Sequence, residues 1–387
     1  MKITQVYEIV NEAVQQTIGE TIVLEQDLTN VVDVGKAVID ADAVDAYVKK
    51  LVNHIGKVVF DDKIYTSGLP GIMMDSWEYG SILEKVSIEL PEATKNDSWD
   101  LVDGQTYNQD IFYKPSVSAK FYNSKTTFEI PMSFTELQVK QSFSNESQLN
   151  GFISMLHNAI TNSMTLQLDT LIMSTINNMT AETIAADLDN AGTIDLTTGS
   201  LKAVNLLAKY NSVTGKTLTK AKAILDTDFL KFATFQMAMY KDRFTKMSKL
   251  FNIGGTTRFT RPEDLRLILL SQFAAGASIY LEADTQHKDL VTLPKYDTVP
   301  YWQGSGTDYS FSAVSGIEVI PSNYKKVVKV DGILGVMFDK NALAVANLDK
   351  RVTTNYNAKA EFYNNFYKLD AWFFNDFNEN FVVFYIA

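Results

Sequence analysis

The chain has 387 residues, 46% hydrophobic and 21% charged, with 46 acidic against 35 basic side chains and a formal net charge of -11. Length and composition fit a folded chain of two or three domains, and the acidity argues against a general grip on nucleic acid. The absence of cysteine excludes disulfides, thiol catalysis and cysteine-ligated zinc or iron–sulfur centres, and only three histidines remain: His54, His157 and His287.

The N-terminus, Met1-Lys2-Ile3-Thr4-Gln5-Val6-Tyr7-Glu8, is not a signal peptide, because Glu8, Asn11 and Glu12 interrupt any apolar run. No stretch of about 18 apolar residues occurs, so no membrane helix is expected. Folding in a cytoplasm follows as the expectation, and the sequons at Asn96, Asn145 and Asn178 read as chance.

Three–four spacing of Ile3, Val6, Tyr7, Val10, Val14 and Ile18 predicts a helix over 3–18, ended by Gly19. Val44, Tyr47, Val48, Leu51, Val52 and Ile55 predict a second over 42–60, before a break at Gly68, Pro70 and Gly71. From about residue 82 the period falls to two: Val86, Ile88 and Leu90 alternate with Lys85, Ser87 and Glu89. A second extended stretch, Ile111 to Tyr122, contains Pro115, which cannot donate to a central ladder. Residues 84–117 therefore read as a two-stranded arm of about 12 residues a side, some 40 Å long, which needs outside support.

Residues 121–134 read as a strand. Asn145 with Gln148 then opens a long helix, whose apolar stripe runs from Leu149 to Met179, a rod of roughly 50 Å. Thr161, Asn162, Ser163 and Thr165 give its centre a wet or shared face. Residues 187–199 read as a loop, 200–211 as a short helix, 219–225 as a strand and 226–250 as a helix ended by Gly254-Gly255. Leu267–Leu270 reads as a buried strand, 286–316 as turn-rich, and 317–320, 327–330 and 332–338 as strands. The aromatic residues from Phe362 to Phe377 and the run Phe381–Ile386 read as a hairpin ending in a buried strand.

Chemical motifs are sparse. Gly215-Lys216-Thr217 has Tyr210 where a phosphate loop needs glycine. The histidines are dispersed: His157 reads as structural, His54 as a surface flank of its helix, and His287 as part of a polar loop. Asp61-Asp62 and Asp187/Asp189 lack a calcium-loop spacing. The clearest basic cluster is Lys241, Arg243, Lys246, Lys249, Arg258, Arg261 and Arg266. It could meet a phosphate backbone, or complement an acidic face on a neighbouring copy; the acidic whole favours the second.

The text Ser81-Ile82-Leu83-Glu84-Lys85-Val86-Ser87-Ile88-Glu89-Leu90-Pro91-Glu92-Ala93, then Trp99, Pro115 and Phe128-Glu129-Ile130, then Phe143 through Ile153, carries a resemblance, as do Gly335 to Lys340, Tyr356-Asn357 and Phe362 to Tyr367. In this order, over about 80–387, they resemble the major capsid proteins of tailed bacteriophages, the α+β Hong Kong 97-like capsid fold, in the pattern of phages of Gram-positive hosts. The resemblance implies an N-terminal arm and helices over 1–80 and an extended E-loop over 81–120. It implies a P-domain over 121–219 with a spine helix at 145–179, an A-domain over 220–345 and a return to the P-domain over 346–387.

The implied function is structural. Copies form hexamers and pentamers of an icosahedral shell, built in the host bacterial cytoplasm, that encloses double-stranded DNA without sequence-specific binding. The implied partners are the chain itself, a separate or previously cleaved scaffolding protein, a portal and decoration proteins, with no membrane, cofactor, metal or catalytic residue. The interface residues are taken to be Trp77, Trp99 and Tyr107 as aromatic anchors and Lys241, Arg243, Arg258 and Arg261 as basic contacts. Lys95 and Asn96 lie near the loop tip, but no covalent crosslink is predicted from them. Rival readings are an encapsulin-like compartment, a soluble enzyme with a dispersed site, and a tail structural protein.

Overall fold

The computed structural model describes residues 3–19, 23–61, 69–74, 83–88, 90–91, 93–107, 110–284, 295–302 and 316–387. Trp77, His287 and most of the turn-rich stretch 286–316 lie outside the described residues.

Helix α1 (Ile3–Ile18) and helix α3 (Val44–Asp61) follow the predicted apolar spacing, burying Val6, Ile9, Val10 and Val14 on one and Tyr47, Val48, Leu51, Val52 and Ile55 on the other. Between them the structure adds α2 (Val31–Asp40), which buries Val31, Val34 and Val38. Strand β1 (Met73–Met74) comes next, and then the ribbon of β2 (Leu83–Ile88) and β3 (Val117–Tyr122). The ribbon is paired only from Leu83↔Tyr122 to Ile88↔Val117. That is six residues a side and about 20 Å, half the expected length. Pro91 and Pro115 lie just beyond the paired part, where each removes a ladder donor.

Strand β4 (Lys125–Thr135) runs into α4 (Glu136–Ser142) through a reciprocal capping box between Thr135 and Gln138. The long helix α5 (Glu146–Leu188) starts where predicted: Asn145 Oδ1 accepts the Gln148 N–H at 2.9 Å. It has 43 residues and spans about 65 Å, passing the predicted end at Met179. Two polar residues beyond Met179 find partners inside the body. The Thr183 hydroxyl donates to the Met179 carbonyl at 2.8 Å, and the Glu182 carboxylate accepts the Asn323 N–H.

Strands β5 (Asp189–Asn190) and β6 (Thr193–Ile194) make a tight hairpin within the expected loop, with Ala191 and Gly192 both at positive φ. Strand β7 (Ala203–Asn205) leads into α6 (Leu206–Thr214). The predicted strand at 219–225 is instead the helical turn α7 (Lys220–Ala223), since alternating Lys and Ala are good helix formers and the segment pairs with no described strand. Helix α8 (Thr227–Phe244) is capped by Asp226, whose Oδ1 accepts the Phe229 N–H. Buried β8 (Leu265–Leu270) passes directly into α9 (Ser271–Asp284), a helix the sequence reading lacks.

The remaining strands are β9 (Asp297–Val299), β10 (Ile317–Val319), β11 (Val328–Val330), β12 (Ile333–Asp339), β13 (Leu343–Asn357), β14 (Phe362–Asn375) and β15 (Phe381–Tyr385). They complete two main sheets, of order β1-β13-β14-β4 and β7-β15-β12-β8-β9. The aromatic hairpin is therefore corrected: β14 pairs with β13, while β15 enters the other sheet between β7 and β12. All five residues of β15 are buried. An interior position covered on both faces suits such a strand, whereas a two-stranded hairpin would expose one face.

Helix α5 packs on β4, β13 and β14 of the first sheet and on β7 and β15 of the second. Helices α1 and α3 lie against α5, and α3 also against β13, so the N-terminal helices share the main core. The result is the expected α+β order of helices, ribbon, spine helix, mixed region and returning strands.

Candidate assembly site

Among the described residues, the ribbon and its tip carry apolar side chains that stay exposed. Val86, Ile88, Leu90, Leu101, Val102, Phe112, Tyr113 and Phe121 are exposed, and Trp99 retains 94% of its surface. The tip's hydrogen bonds are local: the Val102 N–H donates to the Tyr107 hydroxyl at 3.1 Å, Ser98 N–H to Asn96 Oδ1, and Gln105 N–H to the Val102 carbonyl. Tyr107 is thus tied into the tip turn, with Trp99 standing free nearby in sequence. A contiguous apolar surface on a narrow ribbon is poorly stable in water unless a partner covers it.

The ribbon's root is built differently. Lys85 and Lys120 sit directly opposite each other in the register, a repulsive pair unless an anion lies between them. Asp376, after β14, supplies it: Lys85 Nζ is 2.6 Å from Asp376 Oδ2, and Lys120 Nζ is 3.5 Å from Oδ1. Lys85 also reaches Glu379 Oε1 at 3.1 Å and donates to the Asn341 carbonyl at 2.9 Å, and Arg258 Nε lies 3.6 Å from the same Glu379 oxygen. Beneath these charges, Leu83 packs with Ala344, Ala346, Trp372 and Phe374, and Trp372 Nε1 donates to the Tyr122 carbonyl.

Asp376 is nearly fully buried. Burial pushes its carboxyl up, but the Lys85 ammonium and the Asn378 N–H outweigh that and hold it below the usual carboxylate value. The Tyr122 phenol beside it is pushed well up by burial and by that negative charge.

This geometry yields a pH-dependent prediction. Breaking a buried pair costs ~3–5 kcal/mol. Lys85 is partly exposed and Lys120 remains nearby, so Lys85→Met should cost about 2 kcal/mol at pH 7. A carboxyl with a depressed pKa contributes stability above its ordinary value of 3.8, and that contribution is lost as pH falls through the lower folded value. The deficit of Lys85→Met, read by urea denaturation, should therefore be full at neutral pH and shrink below pH 3.8. An equal deficit at both pH values would refute the charge clamp.

The other candidate residues fall in separate places. Arg243 lies over the Tyr240 ring at 5.0 Å, Arg258 faces Glu379, and exposed Arg261 pairs with Glu263 at 3.7 Å, while Lys241 is half-buried at the end of α8. Lys216 pairs with Asp228 at 2.9 Å and with the Tyr210 hydroxyl, and Gly215 caps α6 in the left-handed conformation, so this segment is no phosphate loop. His157 is buried in α5. His54, expected on a surface flank, is partly covered by the packing of α1 on α3, which sets its Nδ1 2.8 Å from Glu12. Asp187 pairs with Lys202, and Asp189 accepts the Gly192 N–H. Among the described residues no helix is long and apolar enough to cross a membrane.

The root residues Asp376 and Glu379 escaped the sequence reading. The opposed lysines were a usable signal, but they become opposed only once the ribbon's register is known.

A helical spine thus ties two sheets into one body, with an exposed apolar ribbon clamped at its root. Residues 6–385 match the Phi29-like phage major capsid protein family, and the chain belongs to that family. It is a structural capsid protein, a reading this match favours over the encapsulin alternative. No curated protein sequence matches the chain. Its structure is similar to the capsid structure of Staphylococcus phage Andhra, at 10% identity over 82% of this chain and 83% of that one, with a TM-score of 0.49. It is also similar to the capsid of the cyanophage P-SCSP1u, at 10% identity over 82% and 86% with a TM-score of 0.47. A third similarity is to the mature capsid of bacteriophage PhiM1, at 8% identity over 84% and 88% with a TM-score of 0.42.

Proposed function

We propose that copies of this chain tile an icosahedral shell as hexamers and pentamers, enclose phage double-stranded DNA, and catalyse no reaction. Assembly in the host cytoplasm, a separate or previously cleaved scaffolding protein, a portal and decoration proteins belong to the same proposal. In it, residues 81–120 act as the E-loop, 121–219 as the P-domain around the spine helix, 220–345 as the A-domain and 346–387 as the return to the P-domain. The observation that carries it is the ribbon, whose apolar tip is exposed among the described residues and whose root is held by buried charge. Burial of that surface against a neighbour supplies stability that the monomer lacks. The net charge of -11 suits a wall that contains DNA without binding it tightly.

Negative-stain microscopy of the chain, purified alone and after co-expression with the phage's other head proteins, tests the proposal. Closed shells are expected in at least one preparation. Only small oligomers, or only tubes, in both would overturn it.

A further inference from the structure

The tip and one loop of the second sheet's domain are chemically complementary. Residues 93–116 carry Asp97, Asp100, Asp103 and Asp110 against Lys95 and Lys114, so the tip is acidic as well as apolar. The loop from Thr245 to Arg261 contains Lys246, Lys249, Arg258 and Arg261 and no acidic residue. It is held in shape by a bridge between Ser248 and Arg258, and by Asn252, which is buried and bonds both the N–H and the carbonyl of Thr256. This rigid loop presents Met247, Leu250 and Phe259 to solvent at 48%, 55% and 44% exposure, flanked by exposed Lys246 and Lys249. Among the described residues no ion pair engages either lysine, whereas Arg258 is spent on Glu379 and Arg261 on Glu263.

We propose that the loop 245–260 receives the acidic, aromatic ribbon tip of a second copy, with Lys246 and Lys249 facing Asp103 and Asp100, the latter exchanging its exposed intrachain partner Lys95 at 3.3 Å, beside the apolar residues of both surfaces. The proposal rests on the reading of the ribbon as an intersubunit arm and names the surface on which that arm lands. Two observations select a second copy as the occupant. The charges are opposite, and each surface exposes apolar residues beside its charges, the composition of an apolar contact with a charged rim. The loop also lies beside the ribbon's root, since Arg258 and Lys85 share Glu379. Tip and loop therefore sit at opposite ends of the ribbon. A contact between two different surfaces of one chain is head-to-tail, and it closes into a ring when the rotation allows.

A charge swap tests it, with circular dichroism and the thermal transition confirming that each variant folds. The variant Lys246→Glu/Lys249→Glu, and separately Asp100→Lys/Asp103→Lys, should each lose closed shells. The four-fold combination should restore them, and assembly of the unaltered chain should weaken as salt rises. Loss in both pairs without restoration would overturn the pairing. Normal shells from both pairs, while a chain lacking the tip forms none, would place the landing surface elsewhere and leave the arm reading intact. Normal shells from the tip-deleted chain would sink the arm reading itself. Normal empty shells with reduced DNA content in the lysine variant would assign the loop to nucleic acid and reject the proposal.

Discussion

Removal of residues 92–106 is expected to leave a folded subunit, with its thermal transition unchanged within about 2 °C, that no longer forms closed shells. The described part of this segment places no side chain in the core. Trp99, Leu101 and Val102 are exposed, and the one ion pair given for Lys95 among the described residues is with Asp100, inside the segment. The six paired residues on each side of the ribbon remain, as does the clamp of Lys85, Lys120 and Asp376. Shortening a connecting loop changes its closure entropy by only about 0.6 kcal/mol per halving. The same deletion removes Trp99, a side chain of the type whose truncation at an interface costs 2 kcal/mol or more, and the loss recurs at every copy in a ring. Thermal melting with sedimentation or microscopy reads both halves of the prediction, and a truncated chain that assembles normally would refute it.

The second large effect lies in the core. Gly335→Val should abolish soluble, folded protein. Gly335 sits in β12, the strand at the centre of the five-stranded sheet, opposite Leu269 of β8. A Cβ there would lie 2.6 Å from the Ile268 carbonyl oxygen and 2.6 Å from Leu269 Cδ2. The first of these is backbone already committed to the sheet, so relief requires β8 and β12 to part. The pairing of β12 with β15 also shifts register between Ile333 and Gly335, so both neighbours are disturbed together. Overpacking that breaks a ladder belongs among the changes costing more than about 4 kcal/mol. Gly151→Ala is the control: its added Cβ meets nothing within 4 Å, and helix propensity favours it by about 0.5–1 kcal/mol. Soluble yield and limited proteolysis should separate the two, and a well-folded Gly335→Val protein would contradict this account.

Much of the architecture was legible because local rules and tertiary needs agree. In α1 and α3 the apolar spacing is the buried face. At Asn145 the cap and the start of the apolar stripe coincide. In β8 an apolar run is buried throughout. Legibility failed where packing overrode local pattern. Helix α9 follows β8 without a loop: only Ser271 and Gln272 part the apolar run of the strand from Phe273 and Ala274 of the helix, and no Gly or Pro marks the change. In β13 the register against β14 shifts between Asn347 and Lys350, which breaks the alternation that marks a strand. A two-stranded ribbon at this place was foreseen, yet not its clamp, because Lys85 and Asp376 are 291 positions apart.

By itself the sequence determined that cysteine chemistry is absent, where the spine helix begins and that a proline-bounded ribbon interrupts the fold. These follow from residue types, short-range periodicity and their order along the chain, which need no knowledge of distant partners. The tertiary structure alone decided that the terminal aromatic strands divide between two sheets, that α5 runs on to Leu188 to join them, and that opposed lysines at the ribbon's root enclose a buried carboxylate. Each of these depends on which surfaces remain uncovered once the other elements are in place. Burying a β-strand on both faces, or a carboxylate between two ammoniums, is favourable only when residues remote in sequence arrive together.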